Sequence, residues 1–381
     1  MRNPLPDEVY LRRTKPTEPD MRAEYFRDQT KIIHSYPFRR LKHKTQVFYA
    51  PDNDHICTRI EHVLHVATIA ATICRGLNLS GGDWALDTEL AYAIGLGHDL
   101  GHAPFGHEGE KELAAKLGAP KAFLHEMNSY RVVEHLANHG QGLNLTYAVK
   151  DGIICHNGED FELNGLKPSR TPNDLENIHD RAYVPCTYEG CIVRLSDKIA
   201  YLGRDIEDAL TAGFITKADL PARPAKELGV SNTDIISVLI SDIVGHSKRS
   251  ETVGFSPEKH AVVSELGKFN YERIYYHPKL VKYRRHIRII IHTLFDYFTE
   301  LFAKHGRDFQ AYAVMDLDVD RNFGRYIEQL QPIYDKEGWV ARTVVTDYIA
   351  GMTDSFALDC MKQISIPLPM HIRRPPSLLG G

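Results

Sequence analysis

Residues 94–110 read IGLGHDLGHAPFGHEGE, and the rest of the chain has to be arranged around this stretch. An apolar approach ends in the pair His98-Asp99, and His102, His107, Glu108 and Glu110 follow closely. An adjacent imidazole and carboxylate can offer a nitrogen and an oxygen to one divalent cation. Gly97, Gly101 and Gly106 allow tight bends, and Pro104 suits the first turn of a new helix. On that helix His107 and Glu110, three residues apart, share a face. A polar, glycine-rich connector with surface histidines is the plain alternative, and it would win for one His-Asp pair. So many histidines and carboxylates after an apolar run favour a site.

The wider composition sets bounds. A chain of 381 residues is long for one domain, although a helical enzyme can use it as one core with appendages. With 43% hydrophobic and 25% charged residues it can bury a large core as a globular protein. A net charge of −4 gives no global attraction to nucleic acid or anionic membrane. Twenty histidines favour metal or proton chemistry. The N-terminus, MRNPLPDEVYLRR, lacks the apolar core of a signal peptide, and no later apolar run is long enough to span a bilayer. Cys57, Cys74, Cys155, Cys186, Cys191 and Cys360 form no C-x-x-C pair, so they read as free thiols in a reducing cytoplasm.

Along the chain, residues 1–20 read as a loose, proline-containing arm and 366–381, ending RRPPSLLGG, as a disordered tail. Between Met21 and Lys44 basic residues are interleaved with Tyr25, Phe26, Tyr36 and Phe38; a solvated basic helix face and a phosphate-binding patch fit equally. Ile56–Leu77 carries apolar residues at helical spacing, with His62 close to the stripe, where a lone histidine is more often a packed, hydrogen-bonded residue than a ligand. Asp87–Gly97 reads as the next helix, delivering His98-Asp99 at its end. Helical patterns follow over 124–139 and 146–156, then a long polar loop over 157–185. Over 188–212 a helix aligns Asp197, Tyr201, Arg204, Asp205 and Asp208 on one face, which a salt-bridged solvent face would also explain. After the break at Pro221–Pro224, helices are predicted over 233–244, 265–276, 282–304 and 344–364. The fold class is all-α: a helical bundle core with additional helices, within one domain over 21–365. Its metal core spans about 55–212 and its C-terminal helical part about 230–365.

His62, His98, Asp99 and Asp197 come from separate helical segments, the way bundles assemble metal sites. In this order they resemble the HD-domain metal-dependent phosphohydrolases. The resemblance narrows to the deoxynucleoside triphosphate triphosphohydrolases, the dGTPase-like proteins. Its carriers are KIIHSYPFRRLKHKTQVF (31–48), TRIEHVLHV (58–66), GHDLGHAPFGHEGE (97–110), VVEHL (132–136), VRLSDKIAYLGRDIEDA (193–209), YERIYYHP (271–278) and DYIAGMTD (347–354). They run from about residue 20 to 365.

The resemblance implies that His62, His98, Asp99 and Asp197 ligate a divalent cation, Mn²⁺ or Mg²⁺ first, with Fe, Zn, Ni or Co as alternatives. It implies catalytic roles for His107, its acidic neighbour Glu110, and His125. His102 would face the α-phosphate, and Arg59, Lys198 and Tyr201 the phosphates. Gln46 and Asp205 would read the 3′-hydroxyl, with Tyr275 lining the base and sugar pocket. The implied reaction is attack at the α-phosphorus by a metal-activated water, giving a deoxynucleoside and tripolyphosphate. Implied partners are a dNTP and further copies of the chain, with a nucleotide activator and single-stranded DNA also admitted and no membrane. Glu61 and His65 depart from the family pattern beside the first ligand, and Gly267 stands where a basic phosphate contact is common, with Lys268 next to it. The alternatives are an HD phosphohydrolase acting on another nucleotide phosphoester, and a binding protein whose metal is structural. Retention of His107, Glu110 and His125 argues against the last.

Overall fold

Three long helices with apolar stripes lie at the centre, each started by a side-chain cap. Thr58 and Glu61 form a capping box at the start of Arg59–Leu79, and Asp87 accepts the N–H groups of Glu89 and Leu90 to open Thr88–Gly97. Thr187 accepts from Gly190 and opens Tyr188–Thr211. The computed structural model describes residues 1–48, 55–157 and 164–367. Val63, Val66, Ala67, Ala70, Ile73, Cys74 and Leu77 of the first helix are buried against Ala91, Ile94, Leu195, Ile199 and Leu202 of the other two. Among the described residues β-structure is limited to isolated bridges, Thr45 with Thr58 and Leu166 with Val253, so the fold is all-α as expected.

A second apolar cluster surrounds Pro278–His305. Ile287, Ile291, Leu294, Phe298 and Phe302 of that helix pack with Phe323, Ile327, Val344, Val345 and Ala357 from the helices that follow. The stretch 94–110 bridges the clusters: Leu96 and Leu100 belong to the first, Ala103 and Phe105 to the second. Asn232–Ser247 and Pro257–Phe269, assigned to the C-terminal part, bury Leu239, Ile243, Val262 and Val263 in the first cluster.

Several expectations change. Residues 1–20 are not a loose arm. Asp7–Leu11 is helical with Tyr10 buried, Asn3 donates to Glu189 at 2.7 Å, and Arg13 forks onto Glu24 and Asp28. The helix after Pro104 starts only at Gly106, because Phe105 takes a left-handed conformation (φ 63°) as its N-cap. The 124–139 segment is helical over His125–Arg131, continues as one wide turn over Val132–Leu136, and ends in left-handed Asn138 and His139. The 344–364 segment is two helices, Ala341–Ala350 and Asp354–Ser365, the second capped by Thr353. Pro221 marks a break and also precedes Ala222–Leu228, a short helix not expected, as is the longer Asp318–Gln329. The polar segment is irregular from 164 to 187 apart from a short turn at Leu175–Asn177. The expected disordered tail lies outside the described residues from 368 onward. No single helix among the described residues is long and apolar enough to cross a membrane. All six cysteines are buried free thiols.

Candidate active site

Each expected ligand is delivered by a helix or its end. His62 projects from the first turn of Arg59–Leu79, His98 is the C-cap of Thr88–Gly97, and Asp197 lies within Tyr188–Thr211. The His98 ring donates through Nδ1 to the carbonyl of Gly95 at 2.8 Å, which leaves the Nε2 lone pair facing the site. His62 Nε2 lies 2.9 Å from Asp197 Oδ1, and His98 Nε2 lies 3.9 Å from the same oxygen and 3.8 Å from Asp99 Oδ1. All four side chains are buried, and His98 Nε2 makes no hydrogen bond among the described residues. Burial pushes the Asp197 carboxyl up, but the His62 hydrogen bond and the nearby histidines outweigh it and hold it well below the usual range. Burial drives the His98 imidazole toward its neutral form. Neutral imidazoles and ionised carboxylates are what a divalent cation binds, so the residues fit one.

Arg59 and Asp99 are joined by a buried ion pair, which overrides the desolvation of Asp99 and keeps its carboxyl well below the usual range. The pair occupies Oδ2 of Asp99 and one terminal nitrogen of Arg59; Nε and Nη2 of the guanidinium have no hydrogen bond among the described residues. Nη2 lies only 3.2 Å from where a Cβ on Gly106 would sit, so a residue without a side chain, at φ +63°, leaves the arginine its place. Gly101 does the same for the opposite wall, since its Cβ would meet the backbone nitrogen of Ser129 at 2.1 Å.

Glu110 organises a second group. Its Oε2 accepts from His125 Nδ1 at 2.8 Å and lies 3.5 Å from His107 Nδ1 and 3.8 Å from His102 Nε2. The carboxylate expected to orient His107 thus holds His125 more closely. Burial opposes charge on His125, but Glu126, Glu110 and the hydrogen bond to Glu110 outweigh it and push its pKa up to about 10. His102, stacked on His125 with ring centroids 4.6 Å apart, is driven well below its usual range by burial and by the charges of Arg59 and His125. A charged and a neutral imidazole thus lie face to face, the kind of split that separates acid and base roles.

A third group contains Tyr275, whose hydroxyl donates to Asp205 Oδ2. Burial pushes the Asp205 carboxyl up to about 7, and its Oδ1, like Oε1 of Gln46, is buried without a hydrogen bond among the described residues. Lys198 is buried and Tyr201 half-buried on the same helix as Asp197, and Asp205 and Asp208 are buried too, so this is not a solvent face. The basic residues of 21–44 are largely engaged with protein: Lys44 donates to the carbonyls of His102 and Ala350, Lys31 to that of Asn144, and Arg40 to that of Gly351.

Sequence reasoning missed His156, Glu126 and Arg181. Arg181 pairs with Glu126 at 2.7 Å, and His156 is buried between His98 and His125, with centroids 4.8 and 5.2 Å away. Its signal was present: Tyr147–Ile154 is an apolar helix with a histidine just past its end, much as in IGLGHD.

A helical core that gathers a histidine, a His-Asp pair and a distant aspartate defines an HD-type phosphohydrolase. Residues 59–202 match the family described as HD domain, and residues 253–363 the Phosphohydrolase-associated domain. Over 92% of this chain and 87% of its own length, a deoxyguanosinetriphosphate triphosphohydrolase-like protein of Caldanaerobacter subterraneus is 38% identical. Proteins of the same description from Desulfatibacillum aliphaticivorans (36%, covering 94% of this chain and 92% of the relative) and Caulobacter vibrioides (31%, covering 91% of each) are similar along their length. The chain belongs to the deoxyguanosinetriphosphate triphosphohydrolase-like family of HD-domain proteins.

Proposed function

We propose that this protein hydrolyses deoxynucleoside triphosphates at the α-phosphorus, releasing a deoxynucleoside and inorganic tripolyphosphate. The observation that carries the reading is Asp205. It is a buried carboxylate on the helix of Asp197, with one oxygen engaged by Tyr275 and the other without a hydrogen bond among the described residues, within electrostatic reach of His62 and His107. Such an acceptor suits a sugar hydroxyl two turns from the phosphates. The names of the relatives point the same way.

A divalent cation on His62, His98, Asp99 and Asp197, Mn²⁺ or Mg²⁺ by preference, would polarise a phosphoryl oxygen and lower the pKa of a water. The chain's own groups do the rest. Arg59 and Lys198 bind phosphate oxygens, and positive charge at His125 offsets the roughly four negative charges of a triphosphate. His102, neutral and stacked on His125, bonds an oxygen of the α-phosphate. His107 is the most open of these rings, with its side chain 44% exposed, and it can pass a proton to the departing 5′-oxygen while Glu110 steadies it. Gln46 and Asp205 hold the 3′-hydroxyl, and Tyr201 crowds the place a 2′-hydroxyl would need. Buried free thiols support a reducing, cytoplasmic setting.

The test is a product assay on all four dNTPs with Mn²⁺ or Mg²⁺. Tripolyphosphate with free deoxynucleoside is expected. Pyrophosphate with monophosphate, or turnover confined to another phosphoester, would overturn the assignment in favour of a different HD phosphohydrolase.

A further inference from the structure

The helix that carries His107, Gly106–Leu117, opens without a side-chain cap, because Phe105 precedes it in the left-handed region and has no polar side-chain atom. Its first turn is therefore placed from outside. The helix lies along Pro278–His305, and ion pairs join the two in step. Glu108 pairs with Arg284, Glu112 with His292 at 2.8 Å, and Lys116 with Asp296. Partners advance in the same direction on both helices, so the two run parallel, and Arg284 stands at the rung beside His107.

Arg284 does more than close that rung. Its Nε lies 3.1 Å from Glu108 Oε1, and its Nη2 donates to the backbone carbonyl of Tyr275 at 2.8 Å. Its guanidinium also lies over the Tyr276 ring, 4.7 Å from the centroid. A planar fork meets these three demands at once, whereas the point charge of a lysine does not. Tyr275 ends the wide turn Asn270–Tyr275, whose other end is fixed where buried Asn270 donates to the carbonyl of Leu202 at 3.0 Å. The Tyr275 hydroxyl donates to Asp205. A continuous series of contacts thus runs from Asp205 through Tyr275 and Arg284 to Glu108, the residue after His107.

We propose that Arg284 is a positioning residue that couples a nucleoside held at Tyr275 and Asp205 to the placement of His107. The inference rests on the dNTP reading for the roles of Tyr275 and His107. Arg284 and Glu108 are each 23% exposed, so their pair is better shielded than that of Glu108 with Lys111, whose side chain is 61% exposed. A nucleoside that settles Tyr275 settles its carbonyl, then the guanidinium, and through Glu108 the first turn of the helix.

The experiment is hydrogen–deuterium exchange of the metal-loaded full-length protein with and without saturating deoxyguanosine, which fills the nucleoside pocket and brings no phosphate to cleave. The wild-type protein should gain protection at 270–276 and also at 106–113. Arg284→Met should keep the first and lose the second. Its kcat on dGTP should fall roughly 10- to 100-fold, as for a misplaced catalytic group, with a smaller change in KM. Arg284→Lys should follow Arg284→Met, and Glu108→Gln, which breaks the same link from its other end, should give the same split even where Arg284→Met does not fold. Arg288→Met, one turn along and 4.0 Å from Glu112, should behave as wild type. Protection at 106–113 that is missing in the wild-type protein, or that persists in folded Arg284→Met or Glu108→Gln, would overturn the coupling. A wild-type protein without protection at 270–276 would overturn the nucleoside pocket itself, and the coupling with it.

Discussion

Asp354 accepts the backbone N–H of Phe105 at 2.8 Å, although the two residues are 249 positions apart. The other oxygen of the same buried carboxylate accepts both the N–H (2.8 Å) and the hydroxyl of Thr45. One side chain near the C-terminus therefore ties together the turn before His107 and the segment that carries Gln46. Asp354→Ala would strand two backbone donors at about 1–3 kcal/mol each. We expect a lower Tm and a rise in KM for dNTP, with Asp354→Asn intermediate. Wild-type melting and kinetics in both variants would remove Asp354 from the support of the site.

His62→Ala and Asp197→Ala should each lose the cation held between them and all turnover with it. Both donors belong to one compact, mixed nitrogen and oxygen set, and their atoms are 2.9 Å apart. Elemental analysis of the purified variants decides the matter: full metal content in both would exclude these residues as ligands.

His107→Ala is expected to separate binding from chemistry. The variant should keep its metal and its affinity for dNTP, while kcat falls by roughly 100- to 10,000-fold, as for loss of a general acid or base. Because Glu110 holds His125 more closely, at 2.8 Å against 3.5 Å, His125→Ala should be at least as damaging. Unchanged kcat in His107→Ala would shift the proton to another group.

Asp205 gives a pH signature. Burial raises its pKa from 3.8 to about 7 in the folded protein. A carboxyl raised in this way stabilises the fold most below its unfolded value, and the contribution is lost as pH rises through the folded value. The Tm of the wild-type protein relative to Asp205→Asn should therefore decline between about pH 4 and 7 and level off above, at up to about 1.4 kcal/mol per pH unit. A difference that stays flat across this window would mean that Asp205 ionises freely.

Asp205 should also set sugar selectivity. A site built to pair a buried hydroxyl rejects analogues that lack it. Dideoxynucleotides should be poor substrates for want of a partner, and ribonucleotides because of crowding at Tyr201. Asp205→Ala should narrow the gap between dNTP and dideoxy-NTP, chiefly by slowing the former. Equal kcat/KM for GTP and dGTP would contradict the pocket.

What could be read from the sequence was largely local. The apolar stripe of Arg59–Leu79 and the aligned polar residues of Tyr188–Thr211 repeat within a few residues and are visible as patterns. The order of His62, His98-Asp99 and Asp197 was visible too, and the structure brings these side chains together. What was missed depends on distant partners. The first residues look loose until Asn3 meets Glu189, 186 positions away. The face carrying Asp205 and Asp208 reads equally as a solvent face until helices cover it. The basic stretch 21–44 reads equally as a phosphate patch or a solvated face, and neither pattern shows the Lys44 ammonium on the carbonyls of His102 and Ala350. His156 follows an apolar helix as His98 does, but Asn157 stands beside it where His98 has Asp99, so no His-Asp pair marks it.

The imidazoles of His62, His98, His156, His125, His102 and His107 form an unbroken file, neighbouring centroids being 5.3, 4.8, 5.2, 4.6 and 4.9 Å apart. Charge on one ring discourages charge on the next: His62 acts so on His98, His98 and His125 on His156, and His125 and His107 on His102. Positive charges on the file therefore limit one another, and one placed at either end bears on its neighbours.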